Sequence, residues 1–517
     1  MEPQSNPGQP ALLFKFLALA LISACIGWLA AVHVKLGAVA GGITGATVFG
    51  ICSFAMWKLT GAPAGLWITF GLKFFSVTAY KLVTVSLVAY LSKDCGMNDA
   101  QAQWVFGAWA VFMSLATILA GSLTDAMGLR RTLLIGVGLC LVTRVLMFSS
   151  SNTWLTLICG LVPLAVGEAL CTPVLVAATR RFTTSGQRSV AFSVFYAILN
   201  FGFMVAYFVR DGVQVSANES GGALAFAGGE WTPPRLLFIA SLGFELVALL
   251  FVLMLPVRGV AQGEEAPPVV SRSFRETARE TFRLFGILVS HPGFRRLLVF
   301  LVMIGLLKIV FTIMDTVLET FAEREIGSGG KASVGRLNAT NSILILILAP
   351  LVGMLTRKFS AYSMVIFGGF ITALSFTFLA LPPAMFAGVT AGPVGEAIGR
   401  GYLELKGDIH PYLVMILFWQ IVFSIGEAFY SPRVYEYAVS IAPKGQEASY
   451  ASLSAVPLLM GKAVSSAAFA GLLTAYCPAE GPRESGKMWL IAGCIVLVAP
   501  VTLLLLRRFI RVPEEGR

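Results

Sequence analysis

The feature that most constrains this chain is a run of apolar segments, each about 20 residues long, spread over its whole length. Fourteen can be marked: 11–32, 36–57, 65–91, 102–121, 132–150, 154–178, 189–209, 235–256, 296–321, 337–356, 362–382, 411–431, 447–475 and 487–507. Each is long enough to cross a hydrocarbon core as a helix, at a rise of about 1.5 Å per residue. With 57% hydrophobic and 13% charged residues, an ordinary water-soluble globule is excluded. Alternating strand patterns are absent, which argues against a barrel. The expectation is an all-α polytopic membrane protein.

A net charge of +11 raises nucleic acid as a partner, but the cations have a simpler use. With the 65–91 helix starting in the cytoplasm, the inner side collects Arg130, Arg131, Arg180, Arg181, Arg188, Arg357, Lys358, Arg433, Lys444 and the tail Arg507, Arg508, Arg511 and Arg517. The positive-inside rule then puts both termini in the cytoplasm and the protein in the plasma (inner) membrane, its partners being the lipid bilayer and no nucleic acid. Of the eight cysteines, only Cys95 and Cys477 fall in outer loops, where a disulfide is conceivable. The cysteines and the three histidines form no metal set, and neither a phosphate loop nor a nucleophile–base pair appears, so no metal, cofactor or enzymatic activity is expected.

One segment is written twice. GEALCTPVLVAATRRFTTSGQRSVAFSVFYAILNFG (167–202) faces GEAFYSPRVYEYAVSIAPKGQEASYASLSAVPLLMG (426–461) at a constant offset of 259. Gly167, Glu168, Ala169, Pro173, Gly186, Gln187 and Gly202 find identical partners, and Thr172 meets Ser431. A second echo, GSLTDAMGLRR (121–131) against GMLTRKFSAYS (353–363), runs at offset 232 because the outer loop 383–410 is long. Two parallel six-helix halves follow, related about an axis along the membrane normal. The expected organisation is two extra helices at 1–62, a first bundle at 63–256, a cytoplasmic linker with a basic amphipathic helix at 257–295, and a second bundle with its tail at 296–517. The front pair lies outside the repeat. It is assigned to packing or biogenesis, and is the candidate surface for a membrane partner.

Charges within the spans are costly and are functional candidates by default. On the seventh core helix Lys308, Asp315 and Glu319 are spaced by 7 and 4 residues. On a regular helix they project within about 20° of one direction. The tenth puts Gln420, Ser424, Glu427 and Tyr430 on one face, and the first offers Lys73, Tyr80 and Thr84, with Lys81 beside them. Arg144, Glu168, Glu245 and Lys462 complete the set. Lys73 and Glu319 have a snorkelling alternative, Glu245 is read as a structural acid, and Arg144 with Glu168 is either a fixed pair or part of a binding site. Glu427, Asp315, Glu319 and Glu168 are the proton-coupling candidates. Lys308, Lys81, Lys73, Tyr80, Arg144, Gln420, Tyr430 and Lys462 are the candidates for the solute cavity.

GSLTDAMGLRRT resembles motif A of the major facilitator superfamily at Gly121, Leu123, Asp125, Gly128, Arg130 and Arg131. The resemblance implies the major facilitator fold, with Gly121, Asp125, Gly128, Arg130 and Arg131 as a cytoplasmic gate. GEAFYSPRVYEYAVSIAPK (426–444) and FSVFYAILNFG (192–202), the latter through Phe192, Tyr196, Asn200 and Gly202, resemble the tenth- and fifth-helix signatures of proton-dependent oligopeptide transporters. That likeness implies proton coupling through Glu427 and through Asp315, the best match to a seventh-helix acid. The family's first-helix acids and Arg are missing from KFFSVTAYKLVT, and its fourth-helix Lys is Thr172 here. The expected activity is proton-coupled symport of a small polar or peptide-like solute by alternating access. Proton-linked efflux of amphipathic compounds is the alternative, and a transport-inactive receptor or assembly partner is the third reading.

Overall fold

The computed structural model describes residues 56–219, 224–226, 229–256, 292–403, 407–440, 471–478 and 480–511, with isolated positions elsewhere. The two front spans, most of the 257–295 linker and most of the 447–475 span, including Lys462, lie outside the described residues. The side chains of Asp315 and Glu319 do too.

Eleven long helical segments carry the described fold. The first half holds α1 (Ala64–Lys93), α2 (Asp99–Met127), α3 (Leu129–Ser149), α4 (Thr153–Arg181), α5 (Ser185–Glu219) and α6 (Pro233–Met254). The second holds α7 (292–325), α8 (Ser328–Leu355), α9 (Ala361–Ala380), α10 (Pro411–Ser440) and α11 (Ser485–Leu505). Ten of the described helices are long and apolar enough to cross a membrane. Their outward faces keep large apolar side chains exposed, Val142, Ile158, Leu250, Phe367 and Leu505 among them, as lipid contact requires. Between α5 and α6 lies a short antiparallel hairpin, β1 (Leu224–Phe226) with β2 (Gly229–Trp231).

Helix ends are set by local chemistry. Asn98 caps α2 in a reciprocal pair with Gln101, and Asn152 and Ser360 cap α4 and α9 through their side-chain oxygens. The chain passes from α2 to α3 through Gly128 alone, at φ 89° and ψ 155°, a conformation open essentially only to glycine. Hydroxyls inside the helices turn back on their own backbones, as Thr69 does to Gly65 and Ser86 to Leu82. These two side chains therefore bury no unmet donor.

The long loop 383–410 carries short helical turns of its own. It contains a 3₁₀ turn (Pro383–Phe386), two short α turns and a π turn (Ala397–Tyr402). Tyr402 fastens it to α8, its hydroxyl donating to the Arg336 carbonyl at 2.6 Å. Cys95 and Cys477 are free thiols.

Within the first half α6 packs on α1 and α3, and α4 on α3 and α2; in the second, α10 packs on α9 and α8. The halves meet chiefly through α5, which lies against α8 and α10. Their cores merge there: Ile345, Ala349 and Val352 of α8 and Ala428 and Tyr435 of α10 join Phe192, Phe195 and Tyr196 of α5 in one buried cluster.

The repeat is also a packing repeat. A Cβ on Gly167 of α4 would come within 2.8 Å of the Gly136 carbonyl on α3. One on Gly426 of α10 would come within 2.7 Å of the Gly368 carbonyl on α9. Gly368 follows Gly136 by 232 residues and Gly426 follows Gly167 by 259, the two offsets of the sequence repeat. Each glycine of a Gly-Glu pair thus lets its helix touch the backbone of its neighbour, in the same way in both halves.

Candidate functional site

Two clusters of buried polar side chains lie in the interior, one around Arg144 and one around Glu427. α4 is not a continuous helix. It begins with a π turn (Thr156–Leu161), breaks at Leu170 and Cys171, and restarts at Thr172 with Pro173 in its first turn. Just before that break Glu168 receives a 2.6 Å bond from Arg144 of α3. Arg144 is fully buried and donates its Nε to Ser241 of α6 at 2.6 Å. Ser241 passes its own hydrogen to the Ala79 carbonyl of α1. Glu245, one turn further along α6, stands 3.5 Å from the same guanidinium nitrogen that Glu168 occupies. Lys73 is buried at 2% exposure with its ammonium 4.8 Å above the Phe195 ring, so it does not snorkel to an interface. Its charge acts on Glu168.

The second cluster spans the halves. Glu427 of α10 is fully buried, and Tyr196 of α5 donates its hydroxyl to Oε1 across the interface. Asn341 of α8 donates to Oε2 at 2.7 Å and to Ser424 at 3.0 Å. Gln420 donates to Asn338 at 3.3 Å, and Asn338 donates to the Met314 carbonyl at 2.9 Å. Met314 belongs to a π turn in α7, Ile313–Val317, where the widened backbone leaves a carbonyl for an outside donor. Asp315 lies in that same turn. The π turn interrupts, between Lys308 and Glu319, the regular 100° step on which the sequence reading of Lys308, Asp315 and Glu319 was based. Lys308 is buried and interacts electrostatically with Glu427. Tyr430 is buried in the second-half core. Tyr80 and Lys81 are half-buried, Lys81 lying 4.9 Å from both the Phe203 and Tyr207 rings of α5.

A third group joins the halves at the end of the bundle that carries Arg130, Arg131, Arg180, Arg181, Arg357 and Lys358. Arg433 was counted above among the inner-loop cations. Because α10 continues to Ser440, it is instead a fully buried helix residue. It donates to Ser189 of α5, to Thr356 after α8 at 2.7 Å, and to Glu436 one turn along. Ser189 donates to the Gly353 carbonyl at 3.2 Å, and a Cβ on Gly353 would collide with Ser193, so α5 and α8 touch there. Of the motif A residues, Gly121 is buried, Asp125 half-buried and Arg131 exposed. Arg130 donates to the Leu253 carbonyl at the end of α6 at 2.7 Å, a cap within the first half.

Tyr196 entered the sequence reading only as a motif letter, and Asn338, Asn341, Ser189 and Arg433 were not placed in a site. The signal for the asparagines was their spacing of three on an apolar helix; for Arg433 it was the offset to Glu436.

Two bundles of membrane helices that meet around buried carboxylates define a transporter of the major facilitator type. The profile described as Major Facilitator Superfamily matches residues 69–399, well over half of the chain, and the protein belongs to that superfamily. It is 30% identical over 133 residues to the "Uncharacterized MFS-type transporter EfpA" of Mycobacterium tuberculosis, a match spanning 24% of each chain. Its fold is similar to that of a POT family transporter solved with 5-aminolevulinic acid, at TM-score 0.60 and 16% identity over 88% of this chain and 98% of that one. It is also similar to a bacterial homologue of the human drug peptide transporters PepT1 and PepT2, at TM-score 0.58 and 18% identity over 86% and 99%. An auto-inhibited POT family peptide transporter aligns at TM-score 0.59 and 15% identity over 88% and 99%. The protein is an integral membrane transporter whose fold resembles that of POT family transporters.

Proposed function

We propose that this transporter couples movement of a small polar or peptide-like solute to protons, with Glu427 as the coupling carboxylate, and that transport rather than catalysis is its activity. The observation that carries the reading is the bonding of Glu427 to donors on both sides of the interface, Tyr196 in the first half and Asn341 in the second. An ionised carboxylate accepts both bonds, whereas a protonated one gives up part of its acceptor capacity and becomes a donor. Loading a proton on Glu427 therefore weakens the tie between α5 and α10, and losing it restores the tie. Burial disfavours a carboxylate's charged form, so access to water from either side determines when such a group gains or loses its proton.

The solute would bind between the halves near the bilayer midplane and be exposed to each side in turn as they rock. With the basic end in the cytoplasm of a plasma (inner) membrane, as the positive-inside rule directs, the Arg433 group holds the cytoplasmic side together in this conformation. The peptide-like class is supported by the POT-type fold, while the missing first-helix acids and fourth-helix Lys point away from an ordinary di- or tripeptide. Reconstitution into proteoliposomes with a solute library, with and without an imposed pH gradient, tests the reading. Accumulation driven by the gradient and abolished by a protonophore is expected; accumulation that ignores both would overturn it.

A further inference from the structure

The Arg144 cluster holds more acid than its hydrogen bonds can serve. Glu168 takes the direct bond from Arg144, and the Arg144 Nε is committed to Ser241. Ser241 cannot donate to Glu245, because its hydrogen goes to the Ala79 carbonyl. Glu245 is 1% exposed, and among the described residues neither of its carboxyl oxygens has a hydrogen-bond partner, although Arg144 stands 3.5 Å from one of them. One terminal nitrogen of Arg144, Nη1, is likewise without a partner. An ionised carboxylate in such a place lacks the donors that normally offset its desolvation, while a neutral carboxyl loses much less by their absence.

The facing groups are few. From α3 come Arg144 and Cys140, from α4 Glu168 and Cys171, and from α1 Lys73, whose charge acts on Glu168. α1 and α5 otherwise meet α6 here with aromatic rings: Phe74 stacks on Phe201 and, like Phe75, contacts Phe244. Lys81 of α1 lies over Phe203 and Tyr207 of α5. With Arg144, Lys73, Glu168 and Glu245 all charged, the cluster is neutral; one added proton leaves it with a single net positive charge. The free Nη1 gives Arg144 a second direction in which to bond, so the guanidinium can serve Glu245 when that group is ionised and Glu168 alone when it is not.

We propose that Glu245 is a second proton-binding site of this transporter, lying wholly within the first half, with Arg144 as the cation that Glu168 and Glu245 share. The proton comes from water and adds to one Glu245 oxygen; Arg144 keeps its charge and stays on Glu168. The purpose of the site rests on the proton-coupled reading above, but its occupancy is measured without any solute. The first half then does more than brace the fold: it stores a proton on α6 beside α1, one of the helices expected to line the solute path.

Infrared difference spectra of the purified protein between alkaline and acid pH test this through the C=O stretch of protonated carboxyls. With the acid limit kept mild enough for exposed carboxylates to stay ionised, wild type is expected to gain at least two such bands, one from Glu245 and one from Glu427. Glu245→Gln should lose one and keep the other, and Glu427→Gln should do the reverse. Glu168→Gln frees Arg144 for Glu245, so the Glu245 band should persist but need a more acid pH to appear. If Glu245→Gln does not fold, Glu245→Asp keeps a carboxyl and should move the band to the aspartic position. A spectrum unchanged by Glu245→Gln, or a band unmoved by Glu245→Asp, overturns the proposal. Loss of the same band in Glu168→Gln at every pH down to the most acid one measured overturns it as well, by assigning the proton to Glu168. Failure of the Glu427 assignment shows separately, as a band untouched by Glu427→Gln.

Discussion

Glu168 on α4 and Glu427 on α10 stand at matching positions of the two halves, each after a glycine that packs on the neighbouring helix and before a Ser/Thr-Pro step. Their partners come from opposite directions. Glu168 is held by Arg144 from within its own half, while Glu427 is held by Tyr196 from the other half and by Asn341 from its own. The position 232 residues after Arg144 is Phe376, which packs against Trp419 and Trp489. The second half has therefore replaced the cation by an aromatic core. Its acid is left to uncharged donors, with Lys308 acting on it electrostatically. The helices differ accordingly: α4 breaks before Pro173, whereas α10 runs through Pro432 to Ser440 and carries Arg433 to the interface. An acid paired to a cation inside one rigid body braces that body. An acid bonded across the boundary between two bodies responds to their separation.

The largest expected effect tests that distinction directly. Glu427→Gln should abolish gradient-driven accumulation of a transported solute while leaving exchange of that solute across the vesicle membrane. Glu168→Gln should lower both together, or lower the yield of folded protein. Gradient-driven accumulation at the wild-type rate in Glu427→Gln would exchange the roles of the two acids.

Next comes Arg144→Ala, which leaves Glu168 buried without its cation. Breaking such a pair costs about 3–5 kcal/mol, read as a fall in thermal unfolding temperature in detergent. Phe376→Ala removes no charge partner, so its loss should come from the cavity alone and should not depend on whether Glu427 is acid or amide. A strong interaction between Phe376→Ala and Glu427→Gln in a double-mutant cycle would count against the comparison.

Smaller effects are expected at the paired glycines. Gly167→Ala would press on Cys140 and the Gly136 carbonyl, and Gly426→Ala on Thr372 and the Gly368 carbonyl. Overpacking of this kind costs about 1–3 kcal/mol. Both variants should unfold at lower temperature, and a neutral Gly426→Ala would show that α9 and α10 stand further apart than described here.

An effect on stability of similar size belongs to Tyr196→Phe. It removes one donor from Glu427 while Asn341 remains, at a cost of about 1.5–3 kcal/mol for a bond to a charged group. Its more telling readout is conformational. Cysteine probes on α5 and α10 at the basic end should label faster, because one tie between the halves has gone, and unchanged labelling would remove Tyr196 from the coupling path.

The apolar runs determined that the chain crosses a membrane as helices, since a backbone in hydrocarbon has to satisfy its own hydrogen bonds. The offsets of 259 and 232 determined that it does so as two like halves, and the same offsets reappear in the glycine pairs that join α3 to α4 and α9 to α10. The sequence also named Glu427, Glu168 and Arg144, because a charge inside an apolar run is visible without knowing its neighbours. It did not show that Tyr196 and Asn341 serve Glu427, that Asn338 ties α8 to Gln420 and to α7, that Arg433 is buried at the interface, or that α7 contains a π turn. Uncharged side chains cost little to place in a helix, so their pattern is faint, and a register shift within a helix leaves no mark on composition. Which acid ties the halves together and which stays within one was decided only by tertiary packing, because the partners lie 231 residues away for Glu427 and 24 for Glu168. The direction of a buried hydrogen bond is a property of how helices meet, and the order of residues along any one of them does not contain it.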